Sequence, residues 1–274
     1  MISVVVLTQD ESANIARCLE SVAWADDILV VDSGSTDGTR ELAERLGARV
    51  LMRRFDTFAA QRNFALDEGR LIHDWVLHLD ADETVSAELR REIEETVRGG
   101  STMAAYRVPF RLMLMGRWLK RSGMYPGYQV RFGRRDHLRF HMVGHGQRET
   151  LGPHEVGVLK GDLIHDNFSK GVSEWAEKHA RYAREEAQSA LEHAGDHRWG
   201  DLVRAGSAVE RRRVLKALSY SLPMRPLMRF LYVYVLRLGF LDGLAGFRYA
   251  RLMAWYEWLI DMNIAEQRLK RTRT

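Results

Sequence analysis

Asp80 and Asp82 stand one residue apart in VLHLDADE (Val76–Glu83), where an apolar run gives out. Along an extended backbone, side chains at i and i+2 point to the same face, so this spacing lets both carboxylates meet one divalent cation. Hard oxygen donors suit Mg²⁺ or Mn²⁺, which bind through one or two carboxylates completed by substrate phosphates. A site for a nucleotide diphosphate follows from that chemistry. The competing reading is a strand-to-turn junction whose acids are merely solvated, and a D-x-D alone does not separate the two. The glycine fingerprints help. TQDESAN (Thr8–Asn14) contains no glycine, and neither G-x-G-x-x-G nor G-x-x-x-x-G-K-[ST] occurs at a strand–helix junction. Dinucleotide oxidoreductases and P-loop NTPases are thereby disfavoured, leaving acids and a metal to hold any nucleotide.

Those acids need a scaffold, and the first half of the chain predicts one. ISVVVLT (Ile2–Thr8), ILVVD (Ile28–Asp32), ARVLMR (Ala48–Arg53) and WVLHL (Trp75–Leu79) read as buried strands. Helices are expected after the first strand, over Thr39–Leu46 and over Phe58–Asp67, so strand and helix alternate as in a mostly parallel α/β sheet with helices on both faces. Ligands bind such sheets beyond the carboxyl ends of the strands. Thr8, Asp32 and Asp80 all fall there, on three different strands. Thr36 and Asp37 read as turn or cap residues. Beyond Gly99, AAYRVPFRLMLMG reads as a strand, Trp118–Phe140 as irregular or antiparallel, and His154–His165 as a hairpin or paired strands. A long helix is expected from near Ser173, and the remainder is helical. The predicted division is residues 1–170, holding the sheet, and 171–274, a helical region that is membrane-interfacial or dimerising.

Composition narrows the classes further. The 274 residues are 46% hydrophobic and 28% charged, as in an ordinary globular protein. The single cysteine, Cys18, excludes an internal disulfide framework and fits a reducing compartment. No basic leader precedes the first strand, and no run of about 18 uncharged apolar residues predicts a span. The net charge of +4 hides an asymmetry. Residues 1–100 hold 20 acids against 11 Lys and Arg, whereas 204–251 hold 10 basic residues against 2 acids. A basic rear suggests an anionic partner; no nucleic-acid-binding motif accompanies it, so nucleic acid is not expected.

The motifs together resemble a known family. Ile2–Leu7, Glu11, VVDSGSTDGT (Val30–Thr39), AQRNFAL (Ala60–Leu66) and LDADE (Leu79–Glu83) look like glycosyltransferase family 2, with the GT-A fold. The resemblance implies nucleoside or nucleotide contacts at Thr8, Glu11, Asp32, Arg62 and Asp80, with Asp82 on a Mn²⁺ or Mg²⁺ ion. GMYPGYQVRFGRR (Gly123–Arg135), His165–Ala187 and Arg229–Ala250 are similar to the branch containing lipopolysaccharide core β-1,4-glucosyltransferases. That similarity implies an inverting hexosyltransferase, with glucose from UDP-glucose favoured, acting on a lipid-linked saccharide. One departure is VGHGQRE (Val143–Glu149), where a compact V-H-E is expected.

Inverting transfer needs a base for the acceptor hydroxyl. Glu149 is the first candidate, Asp166 the second and Asp136 the third; a surface ion pair with a neighbouring arginine is the alternative for each. His145 or His165 could complete the metal shell, although a lone histidine is more often packed or solvated. Gln129 and Arg131 are expected near the acceptor or diphosphate, and Trp118, Tyr125 and Tyr128 against sugar faces or in the core. Arg225, Arg229 and Arg237 fall on one stripe of an otherwise apolar helix, as in a helix lying at a membrane surface. Peripheral attachment at the cytoplasmic face of the cell membrane is the resulting expectation, with homo-oligomerisation open. The alternatives are a sugar-1-phosphate nucleotidyltransferase, for which a Gly- and Arg-rich loop is missing after the first strand, and a non-enzymatic anion- or membrane-binding module.

Overall fold

The structure, a computed structural model, describes residues 1–143, 146–193, 200–204, 206, 208–220, 222 and 224–272. The described chain begins β1 (Ser3–Thr8), α1 (Ile15–Ser21), β2 (Asp27–Asp32), α2 (Thr39–Arg45), β3 (Arg49–Met52), α3 (Phe58–Glu68), β4 (Trp75–Asp80). It continues β5 (Glu83–Val85), α4 (Ala87–Arg98), β6 (Ala105–Leu114), β7 (Arg117–Trp118), β8 (Gly127–Arg134), β9 (Phe140–Val143), β10 (Gly146–Glu149), β11 (Val156–Val158) and β12 (Leu163–His165). The helices α5 (Val172–Glu192), α6 (Asp201–Arg204), α7 (Ala208–Ser219), α8 (Arg225–Leu231) and α9 (Gly243–Thr272) follow. The chain divides into two compact units, Met1–Trp118 with Tyr125–Ser169, and Leu119–Met124 with Lys170–Thr274.

In the first unit every residue of β1 is buried, because a strand covered on both faces can bury each β-branched side chain of SVVVL. Alternate residues serve opposite faces. Val4 and Val6 join Leu77 and Leu79 under α1 and α4, against Ile15, Cys18, Leu89 and Ile93. Val5 and Leu7 join Val31 and Val76 under α3, against Ala59, Ala65 and Leu66. Side-chain caps start two of these helices: Thr57 accepts from the Ala60 N–H, and Ser86 from that of Leu89.

The sheet runs β3-β2-β1-β4-β8-β6-β12-β5. Its first four strands are parallel, and β8 inserts antiparallel to both β4 and β6. This is the expected α/β sheet with helices on both faces. One local expectation is corrected. Within His154–His165, β11 and β12 do not pair with each other; each runs parallel to β6, because the segment passes along β6 instead of turning back.

The helical unit is built on Ala183, Ala187, Ile260 and Ile264, where α5 meets α9. A second correction falls here. The apolar stretch that carries Arg225, Arg229 and Arg237 is not one helix: α8 passes into a π-helical turn at Tyr232–Leu236, and a 3₁₀ turn follows at Gly239–Asp242. Arg225 does not face outward. It is buried, with Nη1 2.7 Å from Asp261 and Nη2 bound to Glu257, over the ring of Tyr220. Burial of a guanidinium requires such partners, and these lie a helix away. Among the described residues no single helix is long and apolar enough to cross a membrane.

Candidate active site

The parallel register sets the ends of three strands side by side: Thr8 is level with Asp32, and Leu7 with Asp80. Backbone bonds extend this junction, since the Ser33 N–H donates to the Thr8 carbonyl and the Ala81 N–H to that of Leu7. Thr8 is buried and its hydroxyl has no protein partner.

The loops after β1 and β2 are laced together above those ends. The Asp10 N–H donates to the Ser35 hydroxyl, the Glu11 N–H to the Thr39 hydroxyl, and the Ser12 N–H to Asp37. The Thr36 N–H returns a bond to Asp10. Asp37 is thereby a loop fastener: its burial is outweighed by the Thr39 hydroxyl and the Ser12 N–H, which hold its carboxyl well below the usual range. Asp32, fully buried, accepts the N–H groups of Gly34 and Ser35 on Oδ1 and the Ser35 hydroxyl on Oδ2. It shapes the loop from within. The Glu11 carboxylate accepts from Asn14 Nδ2, which also reaches the Ser169 hydroxyl.

At Asp80 the extended strand stops and the chain turns, so the alternation that would put both acids of the D-x-D on one face no longer holds. They have different partners. Asp80 Oδ1 lies 2.7 Å from Arg62 Nη2 and Oδ2 lies 2.6 Å from Arg131 Nη2. Both arginines are almost wholly buried, and each leaves Nε and Nη1 without a protein partner. Asp82 Oδ2 faces His165 Nε2 at 3.2 Å. Burial works against charge on that imidazole, but Asp82, and then Glu83 and Asp80, raise it to about 9.

Glu83 is the residue that sequence reasoning passed over. Its Oε1 takes Arg131 Nη2 at 2.9 Å and its Oε2 accepts the Asp80 N–H at 2.9 Å. Burial, reinforced by Asp80 and opposed by His165, raises its carboxyl to about 8. Only its place directly after the D-x-D could have signalled a role. Cys18 sits beneath, its thiol 3.8 Å from the Asp80 carbonyl; burial and the three neighbouring acids push the thiol up, so it stays protonated.

The candidate bases occupy different places. Glu149 ends β10, opposite Phe140, with Oε1 3.6 Å from Arg107. Asn63 brackets the Phe140 backbone with two hydrogen bonds, and the Phe140 ring lies 5.9 Å from the Arg62 guanidinium. The hairpin of Glu149 is therefore docked on α3 beside Arg62. His78, below that ring, is fully buried with both nitrogens unpartnered, and burial keeps it neutral. Asp166 is tied to the metal corner by its backbone, its N–H donating to the Asp82 carbonyl, while its carboxylate pairs with Arg17 at 3.0 Å. Asp136 is 79% exposed beside Arg135. Gln129 is exposed on β8, and Tyr128 is 46% exposed. Trp118 packs edge-on against Tyr125. His145 lies outside the described residues.

Asp82 offers a carboxylate of the kind that suits Mn²⁺ or Mg²⁺, while His165, held protonated against it, would join a cation only after losing its proton. Asp80 would join them only by giving up an arginine. Among the described residues no group of three or more His, Cys, Asp or Glu forms a ready cage.

A glycosyl transferase family 2 profile matches residues 3–149. A protein of Rickettsia felis described as an uncharacterized glycosyltransferase is 27% identical over 270 residues, 98% of this chain and 91% of its own length. The lipopolysaccharide core biosynthesis glycosyltransferase LpsC of Rhizobium meliloti is 26% identical over 170 residues, 60% of this chain and 62% of that protein. The solved structure of S. aureus TarS 1–349 with UDP-GlcNAc is 15% identical, covers 91% of this chain and 90% of that one, and gives a TM-score of 0.43.

Proposed function

The chain belongs to glycosyl transferase family 2, and from that premise we propose a metal-assisted, inverting hexosyltransferase acting on a lipid-linked saccharide of the cell envelope. The donor in this reading is a nucleotide-diphospho-sugar, UDP-glucose being favoured. The family match sets aside the nucleotidyltransferase and the purely binding alternatives.

The observation that carries the reading is the pairing of Asp82 with His165 beside an Asp80 clamped by Arg62 and Arg131. Acids at strand ends suit a nucleoside and a cation, and fixed guanidinium groups suit a diphosphate. Thr8, Glu11, Asp32 and Asp80 would bound the nucleoside, with Arg62 and Arg131 on its phosphate side. Asp82 and His165 would hold Mn²⁺ or Mg²⁺, whose charge offsets that of a leaving diphosphate.

In the reaction, the acceptor oxygen bonds to C1 of the sugar as the bond from C1 to the diphosphate oxygen breaks. The new bond forms on the opposite face, so the anomeric configuration inverts. The acceptor hydroxyl proton passes to a carboxylate, Glu149 in first place and Asp166 in second, and the nucleoside diphosphate departs. Gln129 and the exposed Tyr128 would meet the acceptor. The similarity to LpsC over 60% of the chain supports a cell-envelope acceptor, which in turn favours work at the inner face of the membrane.

The test is thermal unfolding with UDP, GDP, ADP and dTDP sugars, with and without Mn²⁺. A UDP-sugar should raise the midpoint, and more so with Mn²⁺. If no nucleotide sugar shifts it, the donor assignment fails.

A further inference from the structure

The helical unit leaves large apolar side chains uncovered in one stretch. Leu236 is 74% exposed, Leu241 60% and Leu244 61%, with Leu231 and Val235 close to half exposed. This is a fixed knuckle. Phe230, Tyr234 and Phe247 pack on one another beneath it, with ring centroids 5.3 to 5.9 Å apart. A Cβ at Gly246 would lie 2.0 Å from the Gly239 carbonyl oxygen, so the 3₁₀ turn and α9 meet backbone to backbone. Leu238 holds a φ of +58° at the bend, a region that bulky side chains rarely enter. On α9 the exposed positions run on from Leu244 through Arg248, Arg251, Trp258 and Met262 at helical spacing.

Around the knuckle basic side chains outnumber acidic ones. Residues 225–256 contain five arginines and one acid, Asp242. Asp242 is turned inward, accepting the N–H groups of Arg121 and Ser122. Arg225 is matched by Glu257 and Asp261. Arg237, Arg248 and Arg251 lie along the apolar run.

We propose that this face seats the chain on an anionic phospholipid bilayer, the Leu236–Leu244 knuckle entering the acyl region and the arginines reaching the headgroups. The arginine stems can lie along apolar surface with their heads in the polar layer, and basic side chains gain from anionic lipid. Arg225–Leu236 would reach about 18 Å at about 1.5 Å per residue, short of the roughly 30 Å hydrocarbon core. A bend of 72° separates it from Gly239–Arg271, so the two do not form one straight span. A second copy on the same face would set arginine rim against arginine rim about a two-fold axis, whereas anionic lipid meets both the apolar and the charged parts. The inference rests on the lipid-linked acceptor for its purpose, and on the exposed side chains for its content.

The test mixes the full chain with phosphatidylcholine vesicles, with and without phosphatidylglycerol, in the absence of donor and acceptor, and sediments them. Binding should favour phosphatidylglycerol. Leu236→Glu with Leu241→Glu should lower it at least about tenfold, and the gentler Leu241→Ser with Leu244→Ser should lower it at an unchanged unfolding midpoint. Arg248→Gln with Arg251→Gln should flatten its salt dependence. Undiminished sedimentation of both leucine pairs overturns the proposal, as does a solution dimer that those pairs dissociate. Asp82→Asn should sediment like the parent. Vesicle binding without UDP affinity would keep this face and remove the donor reading; UDP affinity without vesicle binding would do the reverse.

Discussion

Glu83 and Arg131 are paired at 2.9 Å with 2% and 3% of their side chains exposed, and the same guanidinium nitrogen reaches Asp80. Raised to about 8, the Glu83 carboxyl is charged above that pH, where a buried charge that loses its partner costs about 3–5 kcal/mol. Arg131→Met should destabilise the protein by that order in urea unfolding at about pH 9, and the double variant with Glu83→Gln by clearly less than the sum of the two. Additive losses would show that the pair is not coupled.

The corner at Asp82 yields a prediction about metal. Asp82→Asn should fold normally, since Asp82 lies at a turn, yet lose the extra stabilisation by UDP-sugar that Mn²⁺ brings. Calorimetry with UDP in Mn²⁺ and in chelator reads this directly. An unchanged Mn²⁺ increment would move the cation elsewhere.

Glu149→Gln should reduce turnover by roughly 10²- to 10⁴-fold while donor affinity stays within a few-fold of the parent. Asp166→Asn is the control in the same assay. If Asp166→Asn takes the large loss and Glu149→Gln the small one, the base is Asp166, whose backbone already touches the metal corner.

At the opposite end of the sheet, Asp27 joins Asp37 among the carboxylates that make folding sensitive to acid. Burial alone would raise its carboxyl, but the Ser3 hydroxyl at 2.5 Å, the Ile72 N–H at 2.9 Å and Arg49 at 2.7 Å hold it below its ordinary 3.8. A carboxyl depressed on folding contributes stability that is present above its unfolded value and lost as pH falls through the folded one. Unfolding free energy should therefore decline below about pH 4, and Asp27→Asn should flatten that decline while lowering stability at pH 7. An unaltered acid limb would show that other carboxylates govern it.

The strands that carry the site were legible because their signal is local. VVVL and ILVV are unbroken apolar runs rich in β-branched residues that end in polar loops, and such runs are read without knowing their neighbours. The clamp on Asp80 was hidden because it is long-range. Arg131 reaches Asp80 only when β8 inserts beside β4, and nothing in QVRFGRR reports which strand that segment will join. Arg225 was misplaced for the same reason. Its spacing with Arg229 and Arg237 describes a helix face, but its acids, Glu257 and Asp261, belong to another helix, and pairing across helices overrode the stripe. Asp32 shows a third limit, since its type and position marked it as chemical while its bonds within the loop appear only in three dimensions.

The clasps of Asp10, Glu11 and Ser12 on the neighbouring loop carry a consequence for how this region can change over generations. An inserted or deleted residue in either loop would slip all three bonds out of step at once. The two loop lengths must be inherited together, so new donor preferences should arise by exchanging side chains within this frame and not by resizing it.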